Sequence, residues 1–496
     1  MIASRALAQV AFLSWRRRRG VLAVILSALL CCYRDPWQIV AREAEPVDGQ
    51  VEEAGGAADA PTPSGEEAAP PFTGSDTAPA WGTYVAARYG DIPCPVPSAQ
   101  VLMVDTTDDA LDAAPSALTS NDPALVGAQL SLPEALWIAT NAPPKIIRFL
   151  ADAFSPSAPG VITIGAEGVT TTSVPWASEM AQACIDGRDR GVIIQWPAGA
   201  SNALLWSISA DSLQIGLTLL RAPSELVVQS RGQVAACRLQ TDGYGVFDGD
   251  RPWTVEAGDD ARIGPGNVIA NQHYGVRVFG LGARIWGNDI DYDPLTRRAV
   301  ATGMAFDLRG GALIEDNVIA GPFGSNMASD ITVRGNYFGV DRSGLALPAP
   351  RYGFGVDGGV TTFGPGNVIR NVDTAVSIAD FWGAGAGMSV LLTRNIISGN
   401  GAGIVGSPVA SPNIGAASAS AVNGTCPFDG TVEVFADKGD QGESYLGSVA
   451  CSASLAWTLA ASATVTGAIP SGRNVTATVT DSAGRTSGFS APYPVP

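Results

Sequence analysis

Histidine and lysine are almost absent: among 496 residues there is one His, His273, and two Lys, Lys145 and Lys438. Histidine-pair metal motifs are therefore excluded, and a Ser-His-Asp or Cys-His centre could be built only on that single imidazole. Charge of any sign is scarce at 16%, and 47 acids against 30 bases leave a net charge of −17. Such a field repels phosphate and acidic polysaccharide at long range, so no nucleic-acid partner is expected. None of the seven cysteines stands in a Cys-x-x-Cys pair, so structural zinc and thioredoxin-like redox chemistry have no support. Glycine runs such as Gly383-Ala384-Gly385-Ala386-Gly387 match no phosphate-loop spacing and read as turns. What the chain does have is apolar residues (46%) and 58 glycines. At this length it can bury a large core, divided into two or three units of roughly 150 residues each.

The charge is unevenly placed. From Glu43 to Ala80 there are nine acids and no base, in a stretch rich in Ala, Pro and Gly. With little to bury, it reads as a self-repelling spacer. Before it, Arg16-Arg17-Arg18-Arg19 precedes the ten apolar or small residues Val21 to Leu30 and then Cys31-Cys32. A cationic patch followed by so short an apolar run is the pattern of a signal peptide, since ten helical residues cannot span ~30 Å of hydrocarbon. Arg18-Arg19-Gly20-Val21-Leu22 loosely resembles a twin-arginine signal. The cysteine after the apolar run suggests a bacterial lipoprotein cleavage site, with Cys32 the better match because Leu30 precedes Cys31. Free secretion and lipid anchoring both stay open, and a lipid anchor would be the sole membrane contact.

Between about Cys237 and Asn395 one frame recurs: Gly266-Asn267-Val268-Ile269, Gly287-Asn288-Asp289-Ile290, Asp316-Asn317-Val318-Ile319, Gly335-Asn336-Tyr337-Phe338, Gly366-Asn367-Val368-Ile369 and Arg394-Asn395-Ile396-Ile397. Cys237 occupies the asparagine place in Ala236-Cys237-Arg238-Leu239, and successive steps are 30, 21, 29, 19, 31 and 28 residues. Irregular spacing around short period-2 strands marks a β-solenoid whose turns vary in length. Coils stacked at ~4.8 Å place a repeated residue in a ladder. An asparagine amide can donate to one neighbour and accept from the other, and Cys237 can end the ladder. A second recurring strand, seen in Val276-Arg277-Val278, Met304 to Leu308, Phe354-Gly355-Val356 and Ala375 to Ile378, should send Val276, Val278, Met304, Phe306, Leu308, Val376 and Ile378 inward. Arg277, Asp307 and Ser377 should then face outward. Parallel crossovers nearly always wind right-handed.

Asn336-Tyr337-Phe338-Gly339-Val340-Asp341-Arg342-Ser343-Gly344, followed by Gly353 to Val356 and Gly364-Pro365-Gly366-Asn367-Val368-Ile369, resembles the repeat of bacterial right-handed parallel β-helix proteins of the CSLREA-type group, within the broad pectate-lyase-like superfamily. Val104 to Asp109, Leu130 to Leu136 and Lys145 to Phe149 resemble that group's N-terminal element, with Pro133 where Arg is usual. The resemblance covers roughly residues 100 to 490. It implies an all-β chain, a right-handed parallel β-helix followed by a small antiparallel β-sandwich of immunoglobulin-like type.

The expected organisation is a signal peptide over 1–32, an acidic Pro/Ala-rich linker over 33–82, an N-terminal capping region over 83–180, the β-helix over 181–412 and the sandwich over 413–496. Ser131 and Glu134 form a capping box for a short helix through Leu136 to Ala139 that could plug the first coil. Thr431 to Ala436, Ser444 to Val449, Leu455 to Leu459 and Val475 to Thr480 read as the sandwich strands. Cys426 and Cys451 could close one loop there, whereas Cys94 has no evident partner.

For chemistry, Asp289, Asp291 and Asp293 would project to one side of an extended segment, with Asp307 one coil on and Arg277 one coil earlier. The three aspartates could bind Ca²⁺, and Asp289, Asp291, Asp307 and Arg277 are the candidates for a general acid and base. A solvated strand edge is the plainer reading of the same residues. No other cofactor is expected. The paired Asp and Gly-His-Gly of polygalacturonases are absent, His273 lies in a turn, and no lysine falls within the coils to serve as a lyase base. Trp286, Tyr292, Tyr337, Phe381 and Trp382 could stack on sugar rings. Together these features suggest a secreted or cell-envelope protein that binds or adheres, to carbohydrate or other envelope components. The alternative is a polysaccharide lyase or glycoside hydrolase using outer-face carboxylates. A lipid anchor at Cys32 predicts a palmitate label that disappears in Cys32→Ser, and an unlabelled native chain assigns free secretion.

Overall fold

The computed structural model describes residues 87–97, 99–111, 129–164, 182–196, 206–208, 211–221, 226–241, 254–270, 274–295, 298–299, 304–326, 330–347, 352–357, 359–378, 389–452 and 456–496. The signal segment, the acidic linker, His273, Phe381 and Trp382 lie outside them. Among the described residues no helix is long and apolar enough to cross a membrane.

Among the described residues, three parallel sheets build the solenoid. The first has eleven strands, from Gln100–Val104 to Ser389–Leu392; the second has ten, from Gly160–Thr163 to Ile396–Ile397; the third has nine, from Trp206–Ile208 to Ala402–Val405. Each strand pairs with its counterpart one coil on, in register: Ile263, Ile285 and Ile314 align in the first sheet, and Ile269, Ile290, Ile319, Phe338 and Ile369 in the second. These columns face inward and are fully buried, because period-2 alternation in stacked strands puts like residues on like faces. Aromatic rings continue the stacking inside, with Phe306, Phe323, Phe354 and Phe363 at centroid separations of 4.7, 5.0 and 4.2 Å.

The asparagine frame forms the bend between the first and second sheets. Each Nδ2 donates to the next side chain's Oδ1: Asn267 to Asn288 at 2.9 Å, Asn288 to Asn317 at 3.0 Å, Asn317 to Asn336 at 2.9 Å, Asn336 to Asn367 at 3.1 Å and Asn367 to Asn395 at 2.9 Å. The same Nδ2 groups also donate to backbone carbonyls such as those of Ile263 and Ile285. Cys237 ends the ladder as expected, its backbone N–H donating to Asn267 Oδ1 at 2.9 Å, and burial pushes its thiol up to about 12. A further regularity explains the preceding residue. Ala236, Gly266, Gly287, Asp316, Gly335, Gly366 and Arg394 all take positive φ, between +49° and +81°. The bend thus needs one left-handed residue per coil, which glycine supplies without strain.

The coils begin earlier than the boundary expected at 181. Gln100–Val104 pairs parallel with Lys145–Phe149, and that strand with Ala183–Asp186, so residues from 100 onward already build the first sheet. The helix Leu132–Asn141 has both halves of its capping box, Glu134 N–H to Ser131 Oγ and Ser131 N–H to Glu134 Oε2. It buries Leu132, Ala135, Leu136, Ile138 and Ala139 against the apolar core of the first described coil. Cys94 does have a partner: it is disulfide-bonded to Cys184. The pair is 90 residues apart in the chain, a separation at which sequence could not match them. It pins the segment carrying Ile92, Cys94 and Val96 against Ile146, Leu213 and Ile215 outside the first sheet.

The C-terminal module packs a three-stranded antiparallel sheet (Asn413–Ala417, Ala421–Thr425, Ala456–Ala460) on a four-stranded one containing Gly430–Asp437, Ser444–Cys451 and Asn474–Asp481. Val422, Val432, Val434, Trp457, Leu459, Val475 and Val479 form its own core, and Cys426 bonds Cys451. It also closes the last coil. Glu433 accepts from Thr393 Oγ1 at 2.6 Å and from the Arg394 N–H at 2.9 Å, and Gly442 exchanges backbone bonds with Ile397. Asn317→Leu is expected to leave the amides of Asn288 and Asn336 short of a partner and to cost ~1–3 kcal/mol in denaturant unfolding. An unchanged midpoint would deny the ladder its role.

Candidate functional site

The carboxylates singled out in the sequence do not form one outward row. Asp291 has φ +59° and interrupts the strand between Asp289–Ile290 and Tyr292–Asp293, so the segment is not extended through all three aspartates. Asp289, Asp291 and Asp293 are each 0% exposed. Among the described residues no group of three or more His, Cys, Asp or Glu gathers to hold a metal ion.

Burial has a specific cause. Asp289 sits on the outer face of the second sheet, in the column of Val268 and Val318, and the 340–347 segment folds over that face. Asp341 Oδ1 holds the segment closed by accepting from the N–H groups of Ser343 and Leu345. Leu347 then packs on Tyr292, Val318 and Ala320. Arg342 is carried onto Asp289, with Nη1 2.5 Å from Oδ1, and its Nη2 donates to the carbonyl of Asp316 at 2.7 Å. Tyr89 closes the other side, its hydroxyl donating to the Gly287 carbonyl at 2.6 Å. Desolvation raises the Asp289 carboxyl to about 6 against the opposing pull of Arg342, and burial pushes Tyr89 up to about 12.

Asp307 and Arg277 lie on a different sheet, the third, as direct register neighbours. Asp307 points away from the core as expected but is 1% exposed. Arg309 Nε donates to it at 3.1 Å and Arg277 Nε lies 3.4 Å away, with the Arg277 guanidinium 3.6 Å from the Phe279 ring centre. The proposed catalytic set is thus split: Asp289 and Asp291 belong to one side of the rod, Asp307 and Arg277 to another. Asp289 and Asp307 are buried and paired with arginines, and Asp291 is buried as well.

An open polar surface lies on the first sheet. Trp286, Glu315 and Arg334 form one register column, with Arg284 beside them. Together with Asp316, Gly335 and Pro365 they line an open hollow of about 370 Å³. Glu315 is the hub: Oε1 accepts from Arg284 Nε at 2.8 Å, and Oε2 accepts from Arg334 Nε and Nη2 at 3.0 and 2.7 Å. These guanidiniums hold its carboxyl below the usual range despite some burial. The Arg284 guanidinium stacks 4.6 Å from the Trp286 ring centre. Of the aromatics read as sugar platforms, Trp286 is half-buried in this hollow, Tyr292 is buried and Tyr337 is half-buried over the cluster beneath 340–347. Sequence reasoning missed Glu315, Arg334 and Arg342. The signal was present for two of them, because Trp286, Glu315 and Arg334 each stand two residues before a ladder asparagine.

A raised carboxyl pKa means that the folded chain binds the Asp289 proton more tightly than the unfolded chain does. Its contribution to stability is greatest below the unfolded value near 4 and is lost as pH rises through about 6. Unfolding measured from pH 4 to 7 should show this decline, and Asp289→Asn should flatten it. Arg342→Met should cost ~3–5 kcal/mol at neutral pH by stranding a buried charge, and should cost less in the Asp289→Asn background.

No protein-family model matches the chain, and the search of curated proteins returned no match.

Proposed function

We propose that this chain is an exported β-helix protein that binds its ligand without transforming it, acting in binding or adhesion at the cell envelope with carbohydrate as the ligand. The observation that carries the reading is the hollow of Trp286, Arg284, Glu315, Arg334 and Asp316 on the outer face of a regular rod. An aromatic ring beside fixed donors and acceptors is the usual equipment of a polar-ligand site. Asp289 and Asp307, by contrast, are paired with Arg342 and Arg309, and in the hollow itself both oxygens of Glu315 are taken up by Arg284 and Arg334, whereas hydrolysis needs two available carboxyls facing one open groove at ~5–9.5 Å. Two disulfides, Cys94–Cys184 and Cys426–Cys451, favour an oxidising compartment and agree with the signal-like N-terminal sequence. The likeness of Asn336 to Gly344 and Gly364 to Ile369 to the CSLREA-type repeat favours a place among bacterial surface β-helix proteins.

The purified protein should be retained on insoluble cell-envelope polysaccharide and should release neither reducing ends nor unsaturated products from uronic-acid or neutral polysaccharides. Product release that vanishes in Asp291→Asn would replace this reading with the enzyme.

A further inference from the structure

The hollow on the first sheet has a charge balance that narrows its ligand. Two guanidiniums, Arg284 and Arg334, face two carboxylates, Glu315 and Asp316, so the lining carries no net charge. The two acids differ in what they can still do. Both Glu315 oxygens accept charge-assisted bonds from the arginines, and its side chain is 15% exposed. It acts as the strut that fixes the two guanidiniums. Asp316 is 49% exposed, and its nearest cation is Arg342 Nε at 3.5 Å, which leaves its carboxylate able to accept from a ligand. The arginines spend Nε and Nη2 on Glu315 and are 51% and 50% exposed. Each therefore keeps Nη1 for a ligand oxygen. Asp316 is held in place from beneath, since its carbonyl accepts from Arg342, which is anchored on buried Asp289.

We propose that this hollow is a subsite for a neutral pyranose, with the sugar against Trp286, a hydroxyl donating to Asp316 and neighbouring hydroxyl oxygens accepting from Arg334 and Arg284. The assignment rests on the binding reading above and names its ligand class and site. A neutral ligand follows from the balanced lining, and from a net charge of −17 that opposes the approach of polyanions. Sugar hydroxyls suit a site offering donors and an acceptor side by side, because each hydroxyl both donates and accepts. A carboxylated or sulfated ligand would set its charge against Asp316. The hollow, at about 370 Å³, lies within the ~300–1,000 Å³ of small-ligand sites.

The test uses titration calorimetry of the full secreted chain with cellohexaose, mannohexaose and galactohexaose, and with an oligogalacturonate of equal length, at low and high salt. At least one neutral hexaose should bind with an affinity indifferent to salt. Trp286→Ala should weaken it by about tenfold or more, the order expected for loss of one stacking contact. The near-isosteric Asp316→Asn, whose thermal unfolding should match that of the native chain, should also weaken it severalfold. Preference for the oligogalacturonate with strong salt dependence would overturn the neutral assignment. Binding of a neutral hexaose that both variants leave intact would overturn the site while leaving the binding reading in place. Failure of every sugar to bind, together with no retention on envelope polysaccharide, would remove both.

Discussion

The structure depends on in-phase stacking of unequal coils. Repeat lengths from 19 to 31 residues would let strands drift out of register unless one point in every coil were fixed. The asparagine ladder fixes it: from Asn267 to Asn367 each buried amide donates to the next asparagine and to a backbone carbonyl of the preceding coil, so a coil displaced by one residue would strand polar groups in a dry bend. With that bend fixed, extra residues must leave through the other turns. The inward columns of isoleucine and phenylalanine then align without any constraint on coil length.

Electrostatics follow from the same geometry. Parallel stacking puts residues of neighbouring coils side by side, so an acid in one coil meets whatever occupies that column above and below it. Asp307 meets Arg277, and Glu315 meets Arg334, each as a register partner. On the first sheet this leaves a half-exposed array of guanidiniums and carboxylates around Trp286. On the second sheet the 340–347 segment covers Asp289 and turns an outward acid into a buried one. Within the coils, the exposure of such a charged column decides whether it holds the scaffold together or meets a ligand.

Both ends of the rod solve the same problem by different means. The helix Leu132–Asn141 lays an apolar face on the first coil, with Ser131 and Glu134 satisfying its N-terminal donors. At the other end the sandwich supplies polar partners: Glu433 and Gly442 take up backbone groups of the final turn, and Phe489 packs beside the core. A solenoid end exposes both apolar core and unpaired strand edges, and each cap meets one of those needs more than the other.

Much of this was determined by sequence alone. The asparagine recurring once per coil before an alternating apolar pair predicted the buried ladder, because stacked coils bring a repeated residue into one column where its amide can donate to one neighbour and accept from the other. Alternation assigned inward and outward faces, and the capping box located the helix. Tertiary structure decided what alternation cannot: whether an outward residue meets solvent. Asp289, Asp291 and Asp293 look like an exposed acidic edge in sequence, yet a segment about fifty residues later covers Asp289 and brings Arg342 to it. The same holds for Cys94, whose partner is set by the path of the chain across the first sheet, and for the Trp286 hollow, which draws its lining from four stacked coils. Local sequence fixes which way a side chain points; the chain's later return over that face determines its environment.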